Sequence, residues 1–490
     1  MLRLHYLGRA LSIQPGEACS DLEELCTVYR QSEEMDYVTD SITGDKRQVR
    51  RRVEAAIPLF WYDKDKAGNK IFAALSGFGA RILDHFKKKG VQVEVADLVE
   101  DGLPQPELAY VKGTHFRTGQ KEVFVKMLSY KRGIIVCPTG FGKTFLIKLL
   151  AKVYPTAEII ITVNSTDIVR DIYDDLKYDL GSQLGIVGGG KDRPARVTIC
   201  TAQSLHKCPK SANLILADEC HTLMTENYVK KFNKFRRARM FGLTATPVGR
   251  SDKAEGFGEA LFGSIIADIS YQQGVSGGNI VPINVRMYRS TVGPEVSKDS
   301  NRVAADRKSL WLNRSRNTLI AEVVTQTIAE IGPEQQLLIM VDKTEHAYAL
   351  GQLLPQFAVV SGEPPVTRIM SMRRSGALVA DQIICSNSLR QEYKEQFENH
   401  TLKYAIATKV WSKGVNFRDL AVLCRADGLS SAIDSGQIPG RLSRLGNRLA
   451  KESGLLIDFI DLFSKNLQRR SQNRISVYRS NGYTVEVREL

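Results

Sequence analysis

The sequence predicts an α/β fold, with two parallel β-sheet domains in tandem behind a small N-terminal α+β domain. Three observations carry this prediction. From about residue 111 short apolar runs alternate with amphipathic stretches, the pattern of a parallel sheet covered by crossover helices. A glycine-bearing turn, Thr139–Thr144, joins one such run to one such helix. A second strand–helix series begins after the Gly/Ser-rich stretch Gly274–Gly278, which is suited to a linker. At 490 residues the chain has the length for about three domains.

Residues 1–110 are the least patterned and are expected to form an accessory, DNA-substrate domain. They hold a basic cluster, Lys46-Arg47-Gln48-Val49-Arg50-Arg51-Arg52, and an aromatic one, Phe60-Trp61-Tyr62. Together these read equally as a nucleic-acid contact or as a solvated face beside a core edge. Residues 1–110 carry 15 Lys/Arg against 18 Asp/Glu, which leaves 53 against 36 for the rest. The overall charge of +14 therefore resides in the later domains, and a polyanionic partner is expected there.

In residues 111–275 the expected strands are Gly133–Cys137, Ile159–Val163, Arg196–Thr201, Asn213–Ala217 and Met240–Leu243. Helices are expected at Lys143–Val153 and Ser165–Leu180, and Gly188-Gly189-Gly190 with Pro194 marks a loop. In residues 276–465 the strands are Leu337–Val341, Phe357–Val360, Tyr404–Ala407 and Leu420–Cys424, with a helix at Glu345–Leu354. The segment Glu363–Leu389 is longer than a strand connection needs and reads as an insertion or mobile loop. Residues 466–490 are expected to be a basic C-terminal tail. No repeat or low-complexity segment is visible.

Several function classes drop out. No stretch approaches the roughly 18 apolar residues of a membrane span. Met1-Leu2-Arg3-Leu4-His5 lacks the layout of a signal peptide. The eight cysteines form no CxxC pair, so structural zinc is not indicated. The expectation is a soluble, cytoplasmic protein with reduced thiols.

Two motifs carry chemistry. The glycines of Thr139–Thr144 let backbone N–H groups approach phosphate oxygens and lead them to a helix N-terminus. Lys143 would hold the β- and γ-phosphates of ATP, and the Thr144 hydroxyl would ligate Mg2+. The strict pattern has Gly where this chain has Cys137. Some seventy residues on, Asp218-Glu219-Cys220-His221 closes the apolar run Asn213–Ala217. Asp218 can hold Mg2+ through water, and Glu219 can orient or deprotonate the attacking water.

In this order the motifs resemble those of a superfamily 2 helicase of the DExH type. The resemblance implies two tandem RecA-like domains, ATP and Mg2+ as cofactors, and nucleic acid as partner. Phe116-Arg117-x-x-Gln120 is similar to the adenine-sensing element, which adds Arg117 and Gln120 to the cofactor-binding set of Thr139, Gly140, Gly142, Lys143 and Thr144. Thr162-Val163-Asn164-Ser165-Thr166 stands where the family often has Pro for Asn164. It and Thr201-Ala202-Gln203-Ser204-Leu205 match segments that touch the nucleic-acid backbone, implying contacts from Asn164, Ser165, Thr201 and Gln203. Gly242-Leu243-Thr244-Ala245-Thr246-Pro247 matches the segment that couples hydrolysis to motion; Thr244, Thr246 and His221 are the coupling residues so implied.

In the second half, Ala407-Thr408 with Gly414-Val415-Asn416 resembles the motif contacting strand and nucleotide, although the family often ends it Gly-Ile-Asp. Gln437-x-x-Gly440-Arg441-x-x-Arg444 resembles the arginine-finger motif. A γ-phosphoryl group leaving through a charge-spread transition state needs added cations, which Arg441 and Arg444 can supply. Motif order and the N-terminal unit together resemble phage UvsW-type helicases. That implies an enzyme remodelling branched DNA (forks, displacement loops, four-way junctions) in recombination, repair or replication restart. It further implies a monomer in bacterial or phage-infected cytoplasm, with replication or recombination proteins as partners. The alternatives are an RNA helicase, a restriction-type translocase subunit, or a nucleic-acid-binding scaffold with a dead ATP site. Trp411, Phe257 and Phe262 are wedge candidates by residue type, and core packing is the commoner use of such side chains.

Overall fold

The apolar runs of the sequence become the central strands of two parallel sheets in the computed structural model. The structure describes every residue except 1, 8, 15–18, 40–45, 65–67, 98–101, 246–255, 291–300, 412–416, 418, 430–438, 447–450 and 490; the side chains of 19, 32–52, 167, 302 and 441 also lie outside the description. The chain forms two compact units, residues 1–137 with 142–270, and residues 138–141 with 271–490.

The first unit opens with a five-stranded sheet in the order β5-β6-β2-β1-β7. Its members are β1 (Leu2–Leu7), β2 (Ala10–Ile13), β5 (Phe60–Lys64), β6 (Lys70–Leu75) and β7 (Val93–Asp97). β3 (Thr27–Thr39) and β4 (Lys46–Pro58) pair only with each other, as an antiparallel hairpin that carries the basic cluster on β4. Phe60 stacks on Phe72 at 5.3 Å and Tyr62 meets Phe72 edge-on at 5.8 Å, so two of the three clustered aromatics are a core edge.

Eight strands follow: β8 (Arg132–Val136), β9 (Ile159–Val163), β10 (Leu184–Gly188), β11 (Lys191–Arg193), β12 (Val197–Thr201), β13 (Leu214–Asp218), β14 (Arg239–Thr244) and β15 (Ile265–Asp268). Their order is β11-β10-β12-β9-β13-β14-β8-β15, parallel except for β10 with β11. The strands β9, β12, β13 and β14 fall within about two residues of their expected bounds. β11 was not legible because Lys191, Asp192 and Arg193 are all exposed and carry no apolar period.

The two sheets of this unit share one core. Phe72, Phe78 and Ile82 lie in one apolar cluster with Met240, Phe257 and Leu261. Close approach is enforced at Gly77, where a Cβ would stand 2.0 Å from the Glu259 carbonyl oxygen. Nearby, Arg81 Nε donates to Glu259 Oε1 at 3.1 Å. Residues 1–110, read from sequence as a domain of their own, are thus part of the first unit's body.

The second unit contains β16 (Ile283–Ser290), β17 (Gln336–Met340), β18 (Ala358–Val360), β19 (Tyr404–Ala407), β20 (Leu420–Arg425), β21 (Gly454–Asp461) and β22 (Thr484–Arg488). Their order is β18-β19-β17-β20-β21-β16-β22, with every pairing parallel. The expected linker contains a helix, Tyr271–Ser276, with Gly274 buried. The expected insertion contains the helix Val366–Arg374, whose Met372 packs with Tyr348, Ala377 and Leu378.

Residues 466–490, expected as a basic tail, hold most of the helix Lys465–Ser480 and the edge strand β22. The helix's arginines face inward. Arg474 binds Asp458 through Nε at 2.8 Å and Nη2 at 3.0 Å, and Tyr478 donates to Asp458 Oδ2 at 2.7 Å. Arg425 donates to Tyr478 at 2.9 Å, and Arg316 Nε to Asp461 Oδ1 at 2.7 Å. Buried charges must be paired to be tolerated, and this network pairs them. Among the described residues no helix is long and apolar enough to cross a membrane. The seven described cysteines are free and buried.

Candidate nucleotide site and nucleic-acid edge

β8 runs into the glycine turn, which runs into the helix Lys143–Val153. Gly140 (φ 89°) and Gly142 (φ 106°) take left-handed backbone conformations that favour glycine. At Gly142 a Cβ would also stand 2.5 Å from Gln120 Nε2. Gln120 is buried, and its Oε1 accepts from the Arg117 backbone N–H at 2.9 Å. The Arg117–Gln120 element is therefore packed against the phosphate-loop glycine, with the Arg117 side chain exposed. Phe116 anchors it against Phe124 and Phe145 at 5.7 and 6.0 Å. Thr139 and Gly140 are partly buried within the turn.

Lys143 and Thr144 begin the helix. Lys143 Nζ lies 3.4 Å from Glu219 Oε1 and its side chain is 10% exposed. Burial lowers the affinity of this amine for its proton, but Glu219, Cys137 and Asp218 outweigh that and hold it above its ordinary range. Glu219 shows the reciprocal effect. Burial raises its carboxyl, yet Lys143 and His221 bring it down to about 2. Asp218, at the end of β13, moves the other way, to about 6, because of burial and then the adjacent Glu219 charge. Its Oδ1 accepts from the Glu219 backbone N–H at 3.0 Å.

Glu219 itself has φ 50°, an unusual backbone for a residue with a side chain. That turn carries its carboxylate back over the strand end. From there a chain of contacts leads sideways. His221 Nδ1 lies 3.4 Å from Glu219 Oε2 and 3.0 Å from Thr244 Oγ1, with His221 and Thr244 both buried. Thr244 ends β14, the neighbour of β13. Residue type and motif pointed to His221 and Thr244 separately; their direct contact needed the fold.

The nucleic-acid candidates lie on the same edge of the sheet, toward its other side. Asn164 and Ser165 follow β9, and Thr201 ends β12. Ser165 is the N-cap of the helix Thr166–Leu180, accepting from the Ile168 N–H at 3.4 Å. Thr201 Oγ1 donates to Ser204 Oγ at 3.0 Å, and Gln203 is exposed. Sequence reasoning treated Gly188-Gly189-Gly190 only as a loop. A Cβ at Gly188 would stand 2.9 Å from Thr201 Oγ1, and one at Gly189 2.9 Å from Thr166 Cγ2. The glycine run thus lies against this edge, and three consecutive glycines were the available signal.

In the second unit Thr408 follows β19, buried, with its N–H on the Val360 carbonyl at 3.0 Å. Arg444 is partly buried. Thr246, Gly414 and Gln437, and the side chain of Arg441, lie outside the described residues. Trp411, Phe257 and Phe262 are all buried in apolar clusters, so none of them is a wedge at the surface.

These positions match known proteins along the same stretch. The family described as type III restriction enzyme, res subunit, matches residues 114–249, and SWI2/SNF2 ATPase matches residues 190–311. The DNA 3'-5' translocase XPB2 of Sulfurisphaera tokodaii is 30% identical over 221 residues, covering 44% of this chain and 47% of that protein. The chain thus spans about half the length of the curated relative it matches. A fragment assigned as the HsdR subunit of a type I restriction enzyme from Vibrio vulnificus covers 95% of this chain and 92% of its own, at 16% identity and a TM-score of 0.57. The crystal structure of T4 UvsW aligns over 100% of this chain and 99% of that chain at 17% identity; its TM-score of 0.40 is too low to carry an argument. The fold is two tandem RecA-like parallel sheets, and the matched stretches resemble the ATPase module of superfamily 2 helicases.

Proposed function

We propose that the chain is an ATP-driven DNA translocase or helicase of superfamily 2, acting on branched DNA such as forks and four-way junctions. One observation carries the reading. The Lys143–Glu219–His221–Thr244 chain of contacts ties the phosphate loop to the neighbouring strand end. A relic ATP site has no reason to keep that chain intact, which disfavours the scaffold alternative. The name of the Sulfurisphaera relative, a DNA translocase, favours DNA over RNA.

The residues fit ATP with Mg2+: two left-handed glycines, a nearly buried lysine, a hydroxyl at the helix start and a carboxylate at a strand end. Thr144 and Asp218 would hold Mg2+, which when bound offsets phosphate charge. Lys143 binds the β- and γ-phosphates. Engaging them draws Lys143 from Glu219, whose carboxylate is then free to accept a hydrogen bond from the attacking water and orient it. His221 carries the resulting change in Glu219 to Thr244, and so to the edge that holds Asn164, Ser165, Thr201 and Gln203. Backbone tracking of this kind predicts weak sequence preference and strong salt dependence.

Steady-state ATP hydrolysis without nucleic acid, with single-stranded DNA, with forked or four-way DNA and with RNA tests the proposal. The greatest stimulation is expected from branched DNA. Lys143→Ala abolishes turnover while DNA binding stays within a few-fold, and Glu219→Gln binds ATP but retains it unhydrolysed. Stimulation by RNA alone would redirect the assignment to an RNA motor, and turnover by Lys143→Ala would remove the nucleotide site.

A further inference from the structure

A cavity of about 280 Å3 lies where the N-terminal sheet meets the opposite end of the eight-stranded sheet. Arg132 and Arg239 start β8 and β14, whose far ends build the nucleotide site. The two places are therefore about 15 Å apart, one strand length. The first unit alone forms this cavity.

Its lining is strongly cationic. Lys131, Arg132, Arg236, Arg237 and Arg239 contribute five positive charges against one carboxylate, Asp97, which already bonds Lys131 Nζ at 2.5 Å. Arg236 and Arg237 are exposed at the rim, and Tyr6, Ala80 and Leu83 supply apolar wall. Deeper in, Ser76 is 1% exposed and its hydroxyl has no hydrogen-bond partner. Behind Ser76 sits Arg9, 4% exposed, whose carbonyl accepts the Ser76 N–H at 2.9 Å. Arg9 Nη1 donates to the Leu261 carbonyl at 2.8 Å, whereas Nε and Nη2 have no partner. Burial lowers Arg132 to about 10 and Arg9 well below its ordinary range, with Arg132 adding to the effect on Arg9. Unmatched buried cations and an orphaned hydroxyl leave an acceptor-rich anion as the complement.

We propose that this cavity binds a phosphate ester, with Arg236 and Arg237 admitting it, Arg132 taking its charge and the Ser76 hydroxyl donating to it. Either a free nucleotide or a phosphate of a nucleic-acid strand presents that chemistry. The site does not depend on the reading of the ATP loop.

Thermal unfolding of the full chain in phosphate against chloride, at equal ionic strength, provides the test. Phosphate is expected to stabilise the wild type and Lys143→Ala alike. The exposed pair Arg236→Ala/Arg237→Ala, and separately Ser76→Ala, should weaken the half-saturating phosphate concentration about tenfold, the scale of one charge-assisted hydrogen bond. A response absent at equal ionic strength, or lost in Lys143→Ala but intact in both cavity variants, overturns the proposal. Thymidine monophosphate and a 5'-phosphorylated oligo-dT then separate the sources. Whichever stabilises the wild type but not Arg236→Ala/Arg237→Ala is the ligand form the cavity takes, and failure of both to depend on that pair also counts against it.

Discussion

His221 shows how much one side chain can carry. Its imidazole Nδ1 stands within reach of both the Glu219 carboxylate and the Thr244 hydroxyl. Its loss should leave ATP bound and hydrolysed but unresponsive to nucleic acid. For His221→Ala the expected outcome is basal turnover within about tenfold of wild type and stimulation by DNA reduced to near unity. Equal losses in basal and stimulated rates would instead place His221 in the hydrolysis step. Arg444 belongs at the same scale. If it supplies charge to the leaving phosphoryl group, Arg444→Ala costs on the order of 10³ in turnover, as arginine fingers do. A loss below about tenfold, read by steady-state kinetics, would transfer that role to Arg441.

Among the elements, the helix Lys465–Ser480 departs most from its sequence reading. Composition made it a basic tail, but its arginines hold it against the ends of β20 and β21. Arg474→Ala would leave Asp458 buried without its bidentate partner, at a cost of about 3–5 kcal/mol in denaturant unfolding. The pH dependence follows from the same pair. Burial pushes the Asp458 carboxyl up, but Arg474 and Arg425 outweigh it and hold it below its ordinary range. A carboxyl lowered in the folded state stabilises fully above its unfolded value of about 3.9 and loses that contribution as pH falls through the lower folded value. Arg474→Ala should therefore flatten the fall in stability below about pH 4.

For the whole molecule, the shared core of the first unit decides what can be removed. A chain begun at residue 111 would lose Leu4, Phe72, Phe78 and Ile82 from the cluster that covers Phe257 and Leu261. Each fully buried side chain of this kind is worth about 1.5–3 kcal/mol. Removal of four exceeds a large part of the 5–15 kcal/mol that typically separates folded from unfolded domains. Truncation is expected to yield aggregated or partly unfolded protein, assessed by size-exclusion chromatography and circular dichroism. A soluble, cooperatively folding fragment with full basal ATPase would mean that the interface is dispensable.

The sequence by itself determined both parallel sheets and most of the nucleotide site. Continuous apolar runs such as Ile159–Val163 and Leu214–Asp218 specify strands buried on both faces, and a glycine turn between strand and helix has one common chemical use. Short or polar edge strands such as Lys191–Arg193 were invisible, because their pairing comes from backbone hydrogen bonds and not from an apolar period. Only the tertiary structure decided the rest. It set the N-terminal sheet into the first unit's core, turned the basic C-terminal helix inward onto Asp458, and brought His221 to Thr244. Each of these joins residues far apart in the chain, and local pattern carries no record of which distant charge or apolar face a side chain will meet.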